Sequence, residues 1–216
     1  MREILLLEKY ILHPMWCYKQ RKRLRNFNPT IISNNCTAGF IYHDLGLKFL
    51  SPTINLTVKD FPLFISHLEH YLSCELIEIL RGGGTPKGRL VSDHFPSIEI
   101  VFNHYSSFQE AKEKWEMRKK RVNFSNLFII MECYDNYFPN EFLEYCELPY
   151  SKDRVILTHS KHEDRKDSIF ISCTNDINRP FVGGETFKIR RFSGKRFLDD
   201  FDYVSFLNGK VAHSES

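Results

Sequence analysis

The spacing of apolar and polar residues changes several times along the chain, and each change predicts an element. Thr30-Ile31-Ile32-Ser33 is a short apolar strand that enters a turn at Asn34-Asn35. From Cys36 to Leu45 the apolar residues recur at helical spacing, and Gly46 stands where a left-handed residue ends a helix. Residues 52–58 are rich in β-branched side chains and predict a strand. Asp60 caps a helix that opens on Phe61-Pro62 and continues through Leu72; proline is tolerated in the first turn because its missing N–H has no helical partner. Residues 76–80 and 97–102 are strand-like and flank the loop GGGTPKGRLVSDHFP. Ser107 and Glu110 form a capping box for a charged helix to Arg121. The run LFIIM at 127–131 is continuously apolar, which predicts a central strand covered on both faces. A helix over 139–146, strands over 154–158 and 168–172, and an amphipathic helix over 197–207 complete the pattern.

Strands alternating with helices predict an α/β fold, a three-layer sandwich with a largely parallel or mixed central sheet. Residues 168–172 are expected to add an antiparallel edge. One α/β domain spans 28–216, preceded by an amphipathic, basic segment over 1–27. Within that segment, residues 3–12 predict a short helix ended near His13 by Pro14. Trp16 and Tyr18 are followed by Lys19, Arg21, Lys22, Arg23 and Arg25. Aromatics beside clustered cations suit the headgroups of an anionic membrane surface, and equally a helix packed on its own domain with a solvated basic end. The apolar patch 4–7 is broken by Glu8 and Lys9 with no small-residue cleavage site after it, so no signal peptide is expected. No run approaches the roughly 18 apolar residues of a membrane span.

Composition narrows the classes further. With 42% hydrophobic and 26% charged residues the chain is neither disordered nor collagen-like. A net charge of +3 gives no argument for a nucleic-acid partner. Cys17, Cys36, Cys74, Cys133, Cys146 and Cys173 are scattered, without CxxC or zinc-ligand spacing, so no metal site is expected and the thiols read as reduced in a cytoplasmic setting. With the basic segment, that reading extends to a peripheral position on the inner face of the membrane.

The reactive residues fall at strand ends. Cys36 follows the strand at 30–33, His104 the strand ending at Phe102, Tyr134-Asp135 the run ending near Met131, and His159 the strand ending at Thr158. If these strands are parallel, all four loops open on the carboxyl edge, where α/β sheets bind ligands. A thiol starting a helix is stabilised as thiolate by N–H donors and the helix dipole, which makes Cys36 a candidate nucleophile. His104 is the candidate base, and Asn34 and Asn35 are candidate donors to an oxyanion. Cys36 reads equally as a small hydrophobe beneath the edge, with Asn34-Asn35 as plain turn residues. Arg89, Arg118 and Arg121 are candidates for a phosphate of a donor or lipid-linked acceptor.

The segments ISNNCTAGFIYHDLGLKFLSPTINL, EIVFNHYSSFQEAKEKWEMRKKRVNFSNLFII, ELPY and FSGKRFLDDFDYVSFLNG resemble the bacterial DUF1919 family over about residues 28–208. Its members often carry exopolysaccharide-biosynthesis or acetyltransferase labels. The loop GGGTPKG departs from the more apolar approach to GRL expected there, so residues 82–88 are assigned no ligand contacts. The resemblance implies work on a capsule, exopolysaccharide or lipopolysaccharide. Ser33, Ser51 and Thr53, from the SNNC and SPT segments, join Arg89, Arg118, Arg121, Asp135 and His159 as candidate substrate-binding residues.

The leading expectation is therefore an acyltransferase that moves an acetyl group to a sugar hydroxyl through Cys36, with acetyl-CoA or another activated donor as cosubstrate. Its expected partners are a glycan or lipid-linked sugar and an anionic membrane. The alternatives are a glycosyltransferase, or another sugar-directed transferase without a covalent intermediate, and a non-catalytic membrane-associated scaffold. Against the glycosyltransferase stands the absence of a DxD motif.

Overall fold

A computed structural model of the protein describes residues 6–80, 84–148, 153–173 and 184–209. Among these, the strands are β1 (Thr30–Ser33), β2 (Thr57–Val58), β3 (Glu75–Glu78), β4 (Lys87–Val91), β5 (Ile98–Val101), β6 (Leu127–Cys133), β7 (Arg154–Thr158) and β8 (Ser168–Phe170). They divide between a parallel sheet of order β1-β6-β7-β8 and an antiparallel sheet of order β2-β5-β4-β3. The helices are α1 (His13–Arg23), α2 (Thr37–Leu45), α3 (Phe61–Ser66), α4 (Leu68–Ser73), α5 (Phe108–Lys119), α6 (Pro139–Cys146) and α7 (Tyr203–Leu207).

The parallel sheet is the middle layer, and strand periodicity shows why. Along β6, Phe128 and Ile130 enter one core while Ile129, Met131 and Cys133 enter the other. Ile31, Val155 and Leu157 side with Phe128; Ile32 and Ile156 side with Ile129. The first core closes beneath α2 and the C-terminal segment, through Ile41, Tyr42, Leu198 and Phe206. The second closes beneath α3 to α6 and the inner face of the antiparallel sheet, through Phe64, Tyr71, Leu76, Leu90 and Trp115. A strand buried on both faces has no polar alternation to show, which accounts for LFIIM.

Several expectations change in detail. β8 pairs in parallel with β7, Leu157 opposite Ile169, so residues 168–170 form a parallel edge; the antiparallel strands make a sheet of their own. The expected strand at 52–58 shrinks to Thr57–Val58, because Ser51 and Thr53 turn the chain through side-chain hydrogen bonds and Asn55 adopts φ 61°. The helix from Asp60 breaks at His67, whose ring leaves the helix to stack 3.7 Å from Phe95. The expected C-terminal helix over 197–207 splits into a 3₁₀ turn, Phe197–Asp200, and α7, which Asp202 caps.

Pro14 does not end the N-terminal helix. The residues before it form a π-helical turn, Glu8–Leu12, in which the His13 N–H reaches the Glu8 carbonyl. Such a widened turn accommodates a ring that would otherwise strike the preceding carbonyl, and α1 continues. Among the described residues, no helix is long and apolar enough to cross a membrane.

Candidate functional site at the carboxyl edge of the parallel sheet

The alternation that buries Phe128 and Ile130 carries Glu132 out on the same face at the end of β6. Val155 and Leu157 do the same for His159, and Ile169 and Ile171 for Cys173. Three neighbouring parallel strands therefore deliver a carboxylate, an imidazole and a thiol side by side. His159 lies between the other two: Nε2 is 3.0 Å from Glu132 Oε1, and Nδ1 is 3.5 Å from Cys173 Sγ. The Glu132 and His159 side chains are 1% and 6% exposed, whereas Cys173 is half-buried.

The carboxylate is held by more than the imidazole. Tyr134 Oη donates to Oε1 at 2.6 Å, Thr186 Oγ1 donates to the same oxygen, and Asn35 Nδ2 donates to Oε2 at 2.5 Å. The Tyr134 ring stacks on His159 at 4.3 Å, with the planes 2° apart. Asn34 clamps β1 to β6 by pairing its carboxamide with the backbone of Glu132 at 2.9 and 3.0 Å.

Burial alone would push the Glu132 carboxyl up, but the donors from His159, Thr186 and Tyr134 outweigh it and hold the group below the usual carboxylate range. For His159, burial disfavours the cation, while the hydrogen bonds to Cys173 and Glu132 raise the ring to about 9. With Nε2–H donated to Glu132, Nδ1 faces the Cys173 sulfur. A nucleophile, a base and an orienting carboxylate in that order is the arrangement of covalent catalysis by a thiol.

Cys36 and His104 lie outside this line. Cys36 stands at the start of α2, as expected, but its thiol is pushed up by burial, offset in part by a hydrogen bond with Asn103 and raised further by Glu132. Desolvation in this pocket exceeds what the short helix supplies, so the expected thiolate is not favoured. His104 is exposed, and its loop follows β5, which belongs to the antiparallel sheet. That loop does approach Cys36, but through Asn103. The carboxamides of Asn34 and Asn35 are engaged on Glu132 rather than facing an oxyanion.

The remaining candidates scatter. Ser33, Ser51 and Thr53 are fully buried and hydrogen-bond one another's segments at the end of β1. Arg89 is exposed on β4 of the antiparallel sheet. Arg118 is buried, donating to Tyr105 Oη at 2.7 Å, and Arg121 donates to the Phe49 carbonyl at 3.2 Å. Asp135 contacts His162 at the same edge, its other oxygen buried without a partner. His159 alone of the expected substrate-binding residues joins the thiol and carboxylate. Residues 82 and 83 of the glycine-rich loop lie outside the described residues. Glu132, Cys173 and Thr186 escaped the sequence reading. The first two were traceable by extending the two-residue alternation one step beyond each strand.

The described side chains that could hold a metal, His13, Cys17 and Asp44, lie elsewhere, where α1 meets the far end of α2.

Comparison with known proteins gives two matches. The family described as "Domain of unknown function (DUF1919)" matches residues 8–208. An "Uncharacterized protein" of Haemophilus influenzae is 34% identical over 190 residues, which is 87% of this chain and 88% of that protein.

Proposed function

The chain belongs to the DUF1919 family, and from there we propose that it is an acyltransferase working through a thioester on Cys173. The observation that carries this reading is the line Cys173–His159–Glu132, with 3.5 and 3.0 Å between its members. In the first half-reaction the Cys173 sulfur, its proton held by His159, attacks the carbonyl carbon of an activated donor such as acetyl-CoA. A carbon–sulfur bond forms, the donor thiolate leaves, and His159 returns the proton to it. In the second half-reaction His159 takes the proton of an acceptor hydroxyl, whose oxygen attacks the thioester; an ester forms and the proton goes to the departing sulfur. Glu132 orients the ring and balances its charge. The acceptor class, a sugar hydroxyl of a surface glycan or its lipid-linked precursor, follows from the sequence resemblance.

The test uses the full chain and acetyl-CoA as probe, with mass spectrometry of the intact protein and its peptides. An acetyl thioester on Cys173, lost in Cys173→Ala and His159→Ala and kept in Cys36→Ala, supports the reading. Acetyl-CoA that leaves Cys173 unmodified, or labels Cys173→Ala equally, overturns it.

A second reading concerns where the protein works. Leu7, Ile11, Met15 and Tyr18 are 44–58% exposed on successive turns of the N-terminal helix, and Lys22 lies 4.6 Å from the Tyr18 ring. Large apolar residues facing outward beside cations suit peripheral attachment to an anionic leaflet. Flotation with phosphatidylglycerol vesicles, and its loss in the double variant Ile11→Asp, Met15→Asp, would support attachment; equal recovery with neutral phosphatidylcholine vesicles would remove it.

A further inference from the structure

The inner face of the N-terminal helix carries a second meeting of thiol, imidazole and carboxylate. His13 and Cys17, one turn apart on α1, are buried against Asp44 near the end of α2. His13 Nε2 is 3.3 Å from Asp44 Oδ1 and 3.5 Å from Cys17 Sγ, and one ligand atom from each residue lies within 4.8 Å of the other two. The other ring nitrogen, Nδ1, donates to the Gly194 carbonyl at 2.7 Å. Gly194 has φ 68°, and a Cβ there would sit 2.5 Å from the Leu12 carbonyl, so glycine is what lets this loop approach the helix.

The two distances from Nε2 match those between ligands of one ion. Tetrahedral zinc, with bonds of about 2.0–2.1 Å to nitrogen and oxygen and about 2.3 Å to sulfur, places a ligating nitrogen about 3.3 Å from oxygen and about 3.5 Å from sulfur. The Gly194 carbonyl on Nδ1 is the outer support that fixes a metal-binding imidazole with Nε2 facing the ion. Arg196 Nε holds Asp44 Oδ2 at 2.7 Å, while Arg196 Nη2 and His43 Nδ1 each lie 3.2 Å from Oδ1, so the ion would share that oxygen with them. The sulfur also lies 3.9 Å from Nδ1, toward the edge of the ring, so coordination requires a turn of the Cys17 side chain.

We infer that His13, Cys17 and Asp44 form a zinc(II) site that ties the N-terminal helix to α2. Sulfur and imidazole nitrogen select zinc over magnesium or calcium, which take oxygen. The site borders a cavity of about 690 Å³, whose lining includes Lys9, Arg21, His43 and Lys188. Three protein ligands leave a fourth position, which water or a small anion from that cavity completes.

The experiment measures metal rather than acyl transfer, so its outcome is independent of the Cys173 chemistry. Full-length protein is stripped with chelator, titrated with cobalt(II) and zinc(II), and analysed for bound metal. The expected result is one equivalent, with a sulfur-to-cobalt charge-transfer band that disappears in Cys17→Ala and persists in Cys74→Ala, whose sulfur lies 3.5 Å from His70 Nε2. Zinc affinity should fall at least about tenfold in Cys17→Ala. Circular dichroism establishes that each variant is folded, and Asp44→Asn supplies a second test if Cys17→Ala is not. Failure of the wild-type protein to bind an equivalent of zinc, or a band that survives Cys17→Ala, overturns the site and leaves an ion-paired clamp between helices.

Discussion

Two clusters in this protein use the same three functional groups and differ in how they use the imidazole. At the sheet edge His159 is a bridge, with sulfur on Nδ1 and carboxylate on Nε2. At the N-terminal helix His13 turns Nδ1 to a backbone carbonyl and offers Nε2 to Asp44 and Cys17 together. A ring spanning two partners can pass a proton between them; a ring with one nitrogen near both partners can share an ion with them once the Cys17 side chain turns toward it. Geometry about one side chain thus distinguishes the proposed relay from the proposed metal ligand, although both contain Cys, His and an acid.

The largest effects should come from the carboxylates. Glu132→Ala leaves His159, Tyr134, Asn35 and Thr186 facing an emptied buried position, and should cost about 3–5 kcal/mol in urea unfolding. Asp44→Ala removes the partner of His13 and Arg196 and should cost a similar amount, but it alone should also abolish the zinc-dependent rise in Tm. A Tm rise with zinc that is lost in Glu132→Ala instead would reverse the two assignments. Next in size is thiol reactivity. Iodoacetamide should alkylate half-buried Cys173 at least about tenfold faster than buried Cys36, read by peptide mass spectrometry.

The pH dependence is smaller and has a defined sign. His159 rises from 6.5 to about 9 in the folded protein, so its pairing stabilises the fold fully below pH 6.5 and that share is lost as pH climbs through about 9. Glu132 is held low, so its share is present above the ordinary carboxylate range and is lost as pH falls through the folded value. The stability difference between wild type and His159→Gln should therefore narrow from pH 6.5 to pH 9, measured by urea unfolding at each pH. The smallest effect is Cys17→Ala without metal. Loss of one buried sulfur should cost about 1 kcal/mol, and only added zinc should widen the gap.

Much of the fold was legible along the chain. The apolar run at 127–131 became the doubly covered β6, the helix over Pro139–Cys146 has the expected bounds, and Gly46 ends α2 at φ 68°. Ser107 caps α5 through the Glu110 N–H, although the Glu110 carboxylate turns back to Ser106. The site was legible only in part. Of the groups expected at strand ends, Cys36, Asp135 and His159 do follow strands of the parallel sheet. Nothing local in residues 97–102 reveals that this strand joins the antiparallel sheet, so His104 follows a strand of the other sheet although its neighbour Asn103 reaches Cys36.

By itself the sequence determined each strand's period, and with it the face on which the next side chain emerges: Glu132 with Ile130, His159 with Leu157, Cys173 with Ile171. Only the tertiary structure decided that β6, β7 and β8 lie side by side and parallel, joining a carboxylate to an imidazole 27 residues on and a thiol 14 further. The reason is the range of the forces. Alternation is fixed by backbone geometry within a few residues, whereas strand order is chosen by which pairing buries both faces of the whole sheet.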